Sequence, residues 1–300
     1  MSYAGSLSGK PGLAVIAPAS LELLKPITWF APMWAFGCGI VAGGGPGGHW
    51  RATLLGITLA GPLVCGTSQA VNDWFDRHVD AVNEPKRPIP SGRLPGRTGL
   101  AIACVWTLAS LLVASMLGPV VLGAASIGLV LAWAYSAPPV RLKRNGWWGN
   151  AACGLCYEGL PWVTGAAIMQ HGVPSWPNLL AALLYSLGAH GIMTLNDFKS
   201  VAGDADMGIR SLPVLLGTGR AARLACIVMA VPQVGVIALL LWWHHPLGAG
   251  FVALVLALQL WLMRTLLSDP KARAPWYNGT GTTLYVLGML GVAFALRAGG

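Results

Sequence analysis

The 300-residue sequence predicts an all-α, polytopic membrane protein of about nine transmembrane helices, built as two pseudo-repeated four-helix halves plus one. Three observations carry that expectation. Only 10% of the residues are charged and 55% are hydrophobic, against about 25% charged in soluble domains. Apolar stretches near the roughly twenty residues needed to cross a bilayer recur along the chain. An acidic tract also occurs twice, each time at the end of an even-numbered stretch.

The elements follow in order. Residues 1–25 are rich in Gly, Ser and Ala and lack a basic start followed by an apolar core and cleavage site, so a flexible cytoplasmic segment is expected there rather than a signal peptide. Residues 26–300 form a single transmembrane domain. Its spans are 26–43, 52–73, 98–117, 119–136, 147–169, 177–196, 222–243, 247–267 and 279–297. Gly and Pro inside several of them are tolerated in membrane helices. With a cytoplasmic N-terminus, every one of the 19 Lys and Arg falls on the inside except Arg51 and Arg297. This positive-inside partition supports the count of nine.

The +9 net charge does not imply nucleic acid. The cations sit in short loops and form no basic face interleaved with aromatics. The six cysteines all lie in apolar spans, including the C-x-x-C of Cys153 and Cys156, and are expected as buried thiols without disulfides.

The acids are concentrated. Asn72-Asp73-x-x-Asp76-x-x-x-Asp80 closes the second span, and Asn196-Asp197, followed by Asp204, closes the sixth. An Arg-x-x-Pro follows each tract, at Arg87 and at Arg210. At about 100° per residue Asp73, Asp76 and Asp80 share one helix face. Asp197 and Asp204 would do the same if their helix continues past Gly203. A single Asp-x-x-Asp at a span end is accounted for by helix capping and loop ion pairs. A duplicated tract with a companion arginine, on one membrane face, instead fits a metal–diphosphate site. Carboxylates are hard ligands for Mg²⁺, which shares its coordination with substrate phosphates. Asp73, Asp76, Asp80, Asp197 and Asp204 are the metal and catalytic candidates. Arg87 and Arg210 lead the diphosphate-binding candidates, joined by Lys86, Lys199, Arg141, Lys143, Asn72 and Asn196.

These tracts resemble the signatures of the UbiA superfamily of intramembrane prenyltransferases. Asn72–Gly92, Tyr135–Trp147 and Asn196–Gly217 are similar, within it, to the chlorophyll and bacteriochlorophyll synthases. The resemblance spans nearly the whole chain. It departs at Ser200, where related sequences often carry an Asp, and Asp206 is the nearest alternative acid. The resemblance implies esterification of a (bacterio)chlorophyllide propionate by geranylgeranyl or phytyl diphosphate with Mg²⁺ as cofactor. It also implies a bacterial cytoplasmic (inner or intracytoplasmic) membrane location, where the cation partition puts both acidic tracts on the cytoplasmic face. The propionate is already ionised at neutral pH and needs no general base.

Two intramembrane polar residues remain. His190, seven residues before Asp197, is a candidate axial ligand for the chlorin magnesium in a pigment pocket, against a plain interhelical hydrogen bond. Glu158 is an isolated intramembrane acid with no assigned role. The competing readings are a prenyltransferase for haem or an aromatic quinone precursor and, in a different class, a membrane transporter built from repeats.

Overall fold

The computed structural model describes residues 12–298, and the chain among them is helical, with no β-strand. Helix α1 (Leu13–Leu23) and α2 (Phe30–Ala42) meet at a 57° bend. Lys25 at that bend has a left-handed backbone, with φ of 47°. The sequence led us to expect a flexible segment over 1–25. Residues 13–23 of it are instead helix, because Ala19 and Leu23 are buried against Ala70 and Val71; residues 1–11 lie outside the described ones.

Next come α3 (Trp50–Thr58), a π turn (Leu59–Cys65) and α4 (Gly66–Asn83), one continuous rod of 34 residues. It outruns the apolar window of 52–73 by ten residues because the acidic tract stays helical. Helices α5 (Thr98–Leu117) and α6 (Pro119–Ser136) coincide with the expected spans. Then α7 (Gly146–Gly154), a second π turn (Leu155–Gly159) and α8 (Leu160–Gln170) cover 147–169. The Asn145 side chain caps α7 by accepting from the backbone N–H groups of Trp147 and Trp148, at 2.9 and 3.3 Å. Both π turns have a proline cause. Pro62 and Pro161 lack the N–H that would bond four residues back, and each ring crowds that carbonyl, so the turn widens.

Helix α9 (Trp176–Asn196) ends at the second acidic tract, which continues as a 3₁₀ turn (Asp197–Lys199) and the short α10 (Val201–Asp206). After α11 (Leu212–Leu216) come α12 (Thr218–Trp242), α13 (Pro246–Ser268) and α14 (Pro270–Ala298). Helix α14 packs on α13, α2 and α9, so the last helix closes the bundle against the first half. Among the described residues seven helices are long and apolar enough to cross a membrane, or eight if the bent α1–α2 pair is one span, against the nine expected. The helical stretch over 147–169 is not among them. Its Asn150, Glu158 and glycines keep it less apolar than its neighbours.

Close packing joins α2 to α8, where small residues let backbones meet. A Cβ on Gly39 would stand 2.1 Å from the Trp162 carbonyl oxygen, and one on Gly165 only 2.3 Å from that of Phe36. Trp162 beside them is fully buried and donates its indole N–H to Asn178 Oδ1 at 3.0 Å. Gly165→Val must therefore push α2 and α8 apart. It is expected to lower the melting temperature of the detergent-solubilised protein by several degrees, a loss of about 1–3 kcal/mol. Gly37→Ala, whose Cβ meets nothing within 4 Å, is the control expected to melt like the parent.

Candidate active site

The first acidic tract is built on α4. Asp73 and Asp80 are buried, and one Arg87 Nη1 bridges them, at 3.4 Å from Asp73 Oδ1 and 2.9 Å from Asp80 Oδ2. The rest of the Arg87 fork grips Glu84 with two bonds of 2.7 Å. Burial alone would pull the guanidinium pKa down. The hydrogen bond to Glu84 and the charges of Asp73 and Asp80 more than offset that and leave it raised. Lys25, at the α1–α2 bend, places Nζ 2.7 Å from Asp73 Oδ1.

Asp76, between the other two in sequence, turns to a different set of partners. Lys143 pairs with Oδ2, Arg141 Nη2 lies 3.3 Å from Oδ1, and Asn72 Nδ2 donates to Oδ2 at 3.2 Å. Asn72 also donates to Ser136 Oγ at 3.1 Å, which fixes α4 and α6 in register. Burial lowers the Lys143 pKa, partly countered by Asp76. Arg141 is held in a left-handed conformation at φ of 42°, and its Nε is buried without a partner.

The second tract is arranged differently. Asp197 Oδ2 accepts from Asn150 Nδ2 at 3.2 Å, and buried Asp204 takes the Ser200 hydroxyl at 3.2 Å. Neither carboxylate forms an ion pair among the described residues. The shared helical face expected for this pair does not form. Helix α9 stops at Asn196, and the chain re-enters a helix only at Val201.

The two tracts border one cavity of about 430 Å³. Asn72, Asn196, Lys25 and Lys199 line its polar end. Gln69, Tyr135 and Tyr157 follow, with Gln69 Nε2 at 3.4 Å from the Tyr157 hydroxyl. Farther in, the wall is Val64, Gly128, Leu160, Ala60, Ala124 and Ala125. A charged mouth therefore opens into an apolar bore.

Several expectations are corrected here. Arg210 does not mirror Arg87. Its side chain is exposed, and its backbone bridges to the loop before α7, with Arg210 N to Arg144 O and Gly146 N to Arg210 O both at 2.9 Å. Lys86 and Asp206 are also exposed and make no side-chain contact with either tract. His190 does not line the cavity. It lies on α9 with exposed Leu183 and Leu187, and its Nε2 donates to the Trp147 carbonyl at 3.2 Å. This is the interhelical hydrogen bond weighed in the sequence, and it leaves Nδ1 without a partner among the described residues. Glu158 is buried in the second π turn with Oε2 unpartnered, beside the cavity but not among its lining residues. Lys25 and Asn150 were missed in the sequence. Lys25 was counted only as a loop cation, although it directly precedes the first apolar span. Asn150 is a lone amide inside the fifth.

The UbiA prenyltransferase family pattern matches residues 30–295. The chain is 60% identical over 280 residues to the "Bacteriochlorophyll synthase 33 kDa chain" of Cereibacter sphaeroides, covering 93% of each. It is 48% identical to the 34 kDa chain of Chloroflexus aurantiacus, covering 93% of this chain and 90% of that one. The chloroplastic chlorophyll synthase of Arabidopsis thaliana is 36% identical, over 92% of this chain and 73% of the relative. Among solved structures, a UbiA homolog from Archaeoglobus fulgidus bound to GPP and Mg²⁺ superposes with a TM-score of 0.70 at 17% identity, covering 93% and 99% of the two chains. A digeranylgeranylglyceryl phosphate synthase structure does so with 0.75 at 20%, covering 94% and 99%. An enzyme that moves prenyl groups inside a membrane, not a transporter, is what fold, site and relatives have in common: the chain belongs to the UbiA prenyltransferase family.

Proposed function

We propose that this prenyltransferase esterifies the propionate of a (bacterio)chlorophyllide with a C20 allylic diphosphate, geranylgeranyl or phytyl, at the cytoplasmic face of a bacterial membrane. The observation that carries the proposal is the cavity itself. A mouth held by Asn72, Lys25, Asn196 and Lys199 leads into an apolar bore, matching a diphosphate head on a prenyl tail. The bacteriochlorophyll and chlorophyll synthase relatives favour the tetrapyrrole acceptor. The cation partition of the sequence supports a cytoplasmic mouth.

The residues present fit a divalent metal. Asp73 Oδ2 is buried without a hydrogen-bond partner, and Asp76, Asp80, Asp197 and Asp204 are further hard oxygen donors on the two tracts that flank the mouth, although among the described residues no three acidic, His or Cys side chains converge on one point. When bound, Mg²⁺ supplies positive charge that stabilises the departing diphosphate. The protein's own groups do the rest. Lys25, Arg87, Arg141 and Lys143 already stand on the carboxylates, so their charge is in place where the leaving group develops its own. The bond from prenyl C1 to the diphosphate oxygen breaks, and its electron pair leaves with diphosphate. A propionate oxygen forms the new bond to C1. No proton moves, and among the described residues no histidine lines the cavity to move one.

Detergent-solubilised protein with Mg²⁺ and geranylgeranyl diphosphate is expected to esterify chlorophyllide or bacteriochlorophyllide. Turnover of haem or of an aromatic quinone precursor, with neither chlorophyllide accepted, would overturn the tetrapyrrole assignment. EDTA should abolish turnover and added Mg²⁺ restore it. Asp76→Asn and Asp197→Asn should each lower kcat by about 10²-fold or more, the scale of losing one preorganised electrostatic group, as read by initial rates of ester formation.

A further inference from the structure

The bore below the mouth has a definite length and a closed floor. Asn72 and Ser136, 3.1 Å apart, mark its top on α4 and α6. Ala60 and Ala124 lie in its wall twelve residues deeper on each side. On α6, at 1.5 Å per residue, this places the lower end about 18 Å below the mouth. Leu59 joins the lining at this lower end, and beyond it Phe36 and Val121 of the packed cluster are almost completely buried, so the bore ends there. An extended C20 prenyl chain runs through about sixteen main-chain carbons and measures about 19 Å; a C15 chain measures about 14 Å and a C10 chain about 9 Å, at about 1.25 Å of advance per bond.

Gly128 stands partway down, eight residues or about 12 Å below Ser136. A Cβ there would sit 3.6 Å from both Leu160 Cδ1 and Val64 Cγ1, two other wall residues. It would fit without displacing protein atoms and would occupy the gap between them. The absence of a side chain at 128 keeps the bore open to its full depth.

We infer that the bore between Asn72–Ser136 and Ala60–Ala124 measures the donor, with Gly128 as its gate and Ala124 as its floor, and so selects the C20 chain. This rests on the proposed use of an allylic diphosphate donor. A side chain grown at Ala124 cuts the depth to between the C15 and C20 lengths. One grown at Gly128 cuts it to between C10 and C15.

The test compares geranyl, farnesyl and geranylgeranyl diphosphates on the parent, Ala124→Phe and Gly128→Leu, with Mg²⁺ and chlorophyllide. The parent should favour C20 in kcat/KM. Ala124→Phe should lose at least tenfold on C20 relative to C15, and Gly128→Leu at least tenfold on both C15 and C20 relative to C10. Ratios within twofold of the parent in active variants overturn the inference. Gly128→Ala covers the case in which a large side chain disrupts folding. It should lose several-fold on C20 with C10 unchanged, and an unchanged C20 value overturns the inference. Thermal stabilisation by each diphosphate with Mg²⁺, measured without acceptor, keeps the two claims separate. Graded stabilisation by donor length with no ester formed would sink the acceptor assignment and leave the ruler standing. Ester formed with no dependence on donor length would do the reverse.

Discussion

The arrangement depends on how three carboxylates survive at the end of a membrane helix. A charge there costs several kcal/mol unless it is paired. Asp73, Asp76 and Asp80 are each met by a cation, from the α1–α2 bend (Lys25), from the loop after α4 (Arg87) and from the loop after α6 (Arg141, Lys143). Those pairs do two things at once. They allow α4 to continue as helix ten residues past its apolar run, and they draw three separate segments onto one end of the bundle. The anion-binding groups of the mouth are thus gathered by the same charges that fold the loops.

The two halves share a sequence pattern but not a chemistry. Asp76 and Ser200 occupy the same register in their tracts, four residues after Asn72 and Asn196. Asp76 carries two cations. Ser200 instead shares its one hydroxyl proton between Asp204 Oδ2 and the Asp197 carbonyl, at 3.2 and 3.1 Å. Asp73 and Asp80, which hold Arg87, have counterparts in Asp197 and Asp204, but the position of Glu84, which grips the rest of the Arg87 fork, is Gly208 in the second tract, and Arg210 spends its backbone on the loop before α7 rather than its guanidinium on the acids. The first tract is therefore a neutralised cluster of acids and cations. The second offers two carboxylates whose partners are amide and hydroxyl.

What was legible in the sequence was what periodicity and charge record. The apolar windows found α5 and α6 to the residue, and the Asp spacing placed three acids on α4. The windows failed where stability came from tertiary contacts. They missed α1, which is held by burial of Ala19 and Leu23, and stopped ten residues short on α4 because ion pairs do not register as apolarity. The repeat argument promoted Arg210 by analogy with Arg87. It could not see that the break in α9 after Asn196 redirects the loop. Lys25 was invisible for a similar reason: its role arises from a 57° bend and a left-handed backbone that bring it 48 residues along the chain to Asp73.

The bore, finally, follows from local backbone chemistry more than from the long helices around it. Both widened turns contribute to its wall, Leu59–Cys65 through Ala60, Val64 and Cys65, and Leu155–Gly159 through Cys156 and Tyr157. A regular α-helix at either place would draw those side chains round by a fraction of a turn and pack them closer. The facing helix α6 supplies the other half of the clearance with Ala124, Ala125, Gly128 and Ala132, one small residue or pair per turn. Two prolines that cannot donate and four residues too small to fill space thus keep an apolar channel open inside a membrane bundle. Pro32 of α2 and Leu160, Pro161 and Thr164 of α8 complete the wall, on two helices closed backbone to backbone at Gly39 and Gly165.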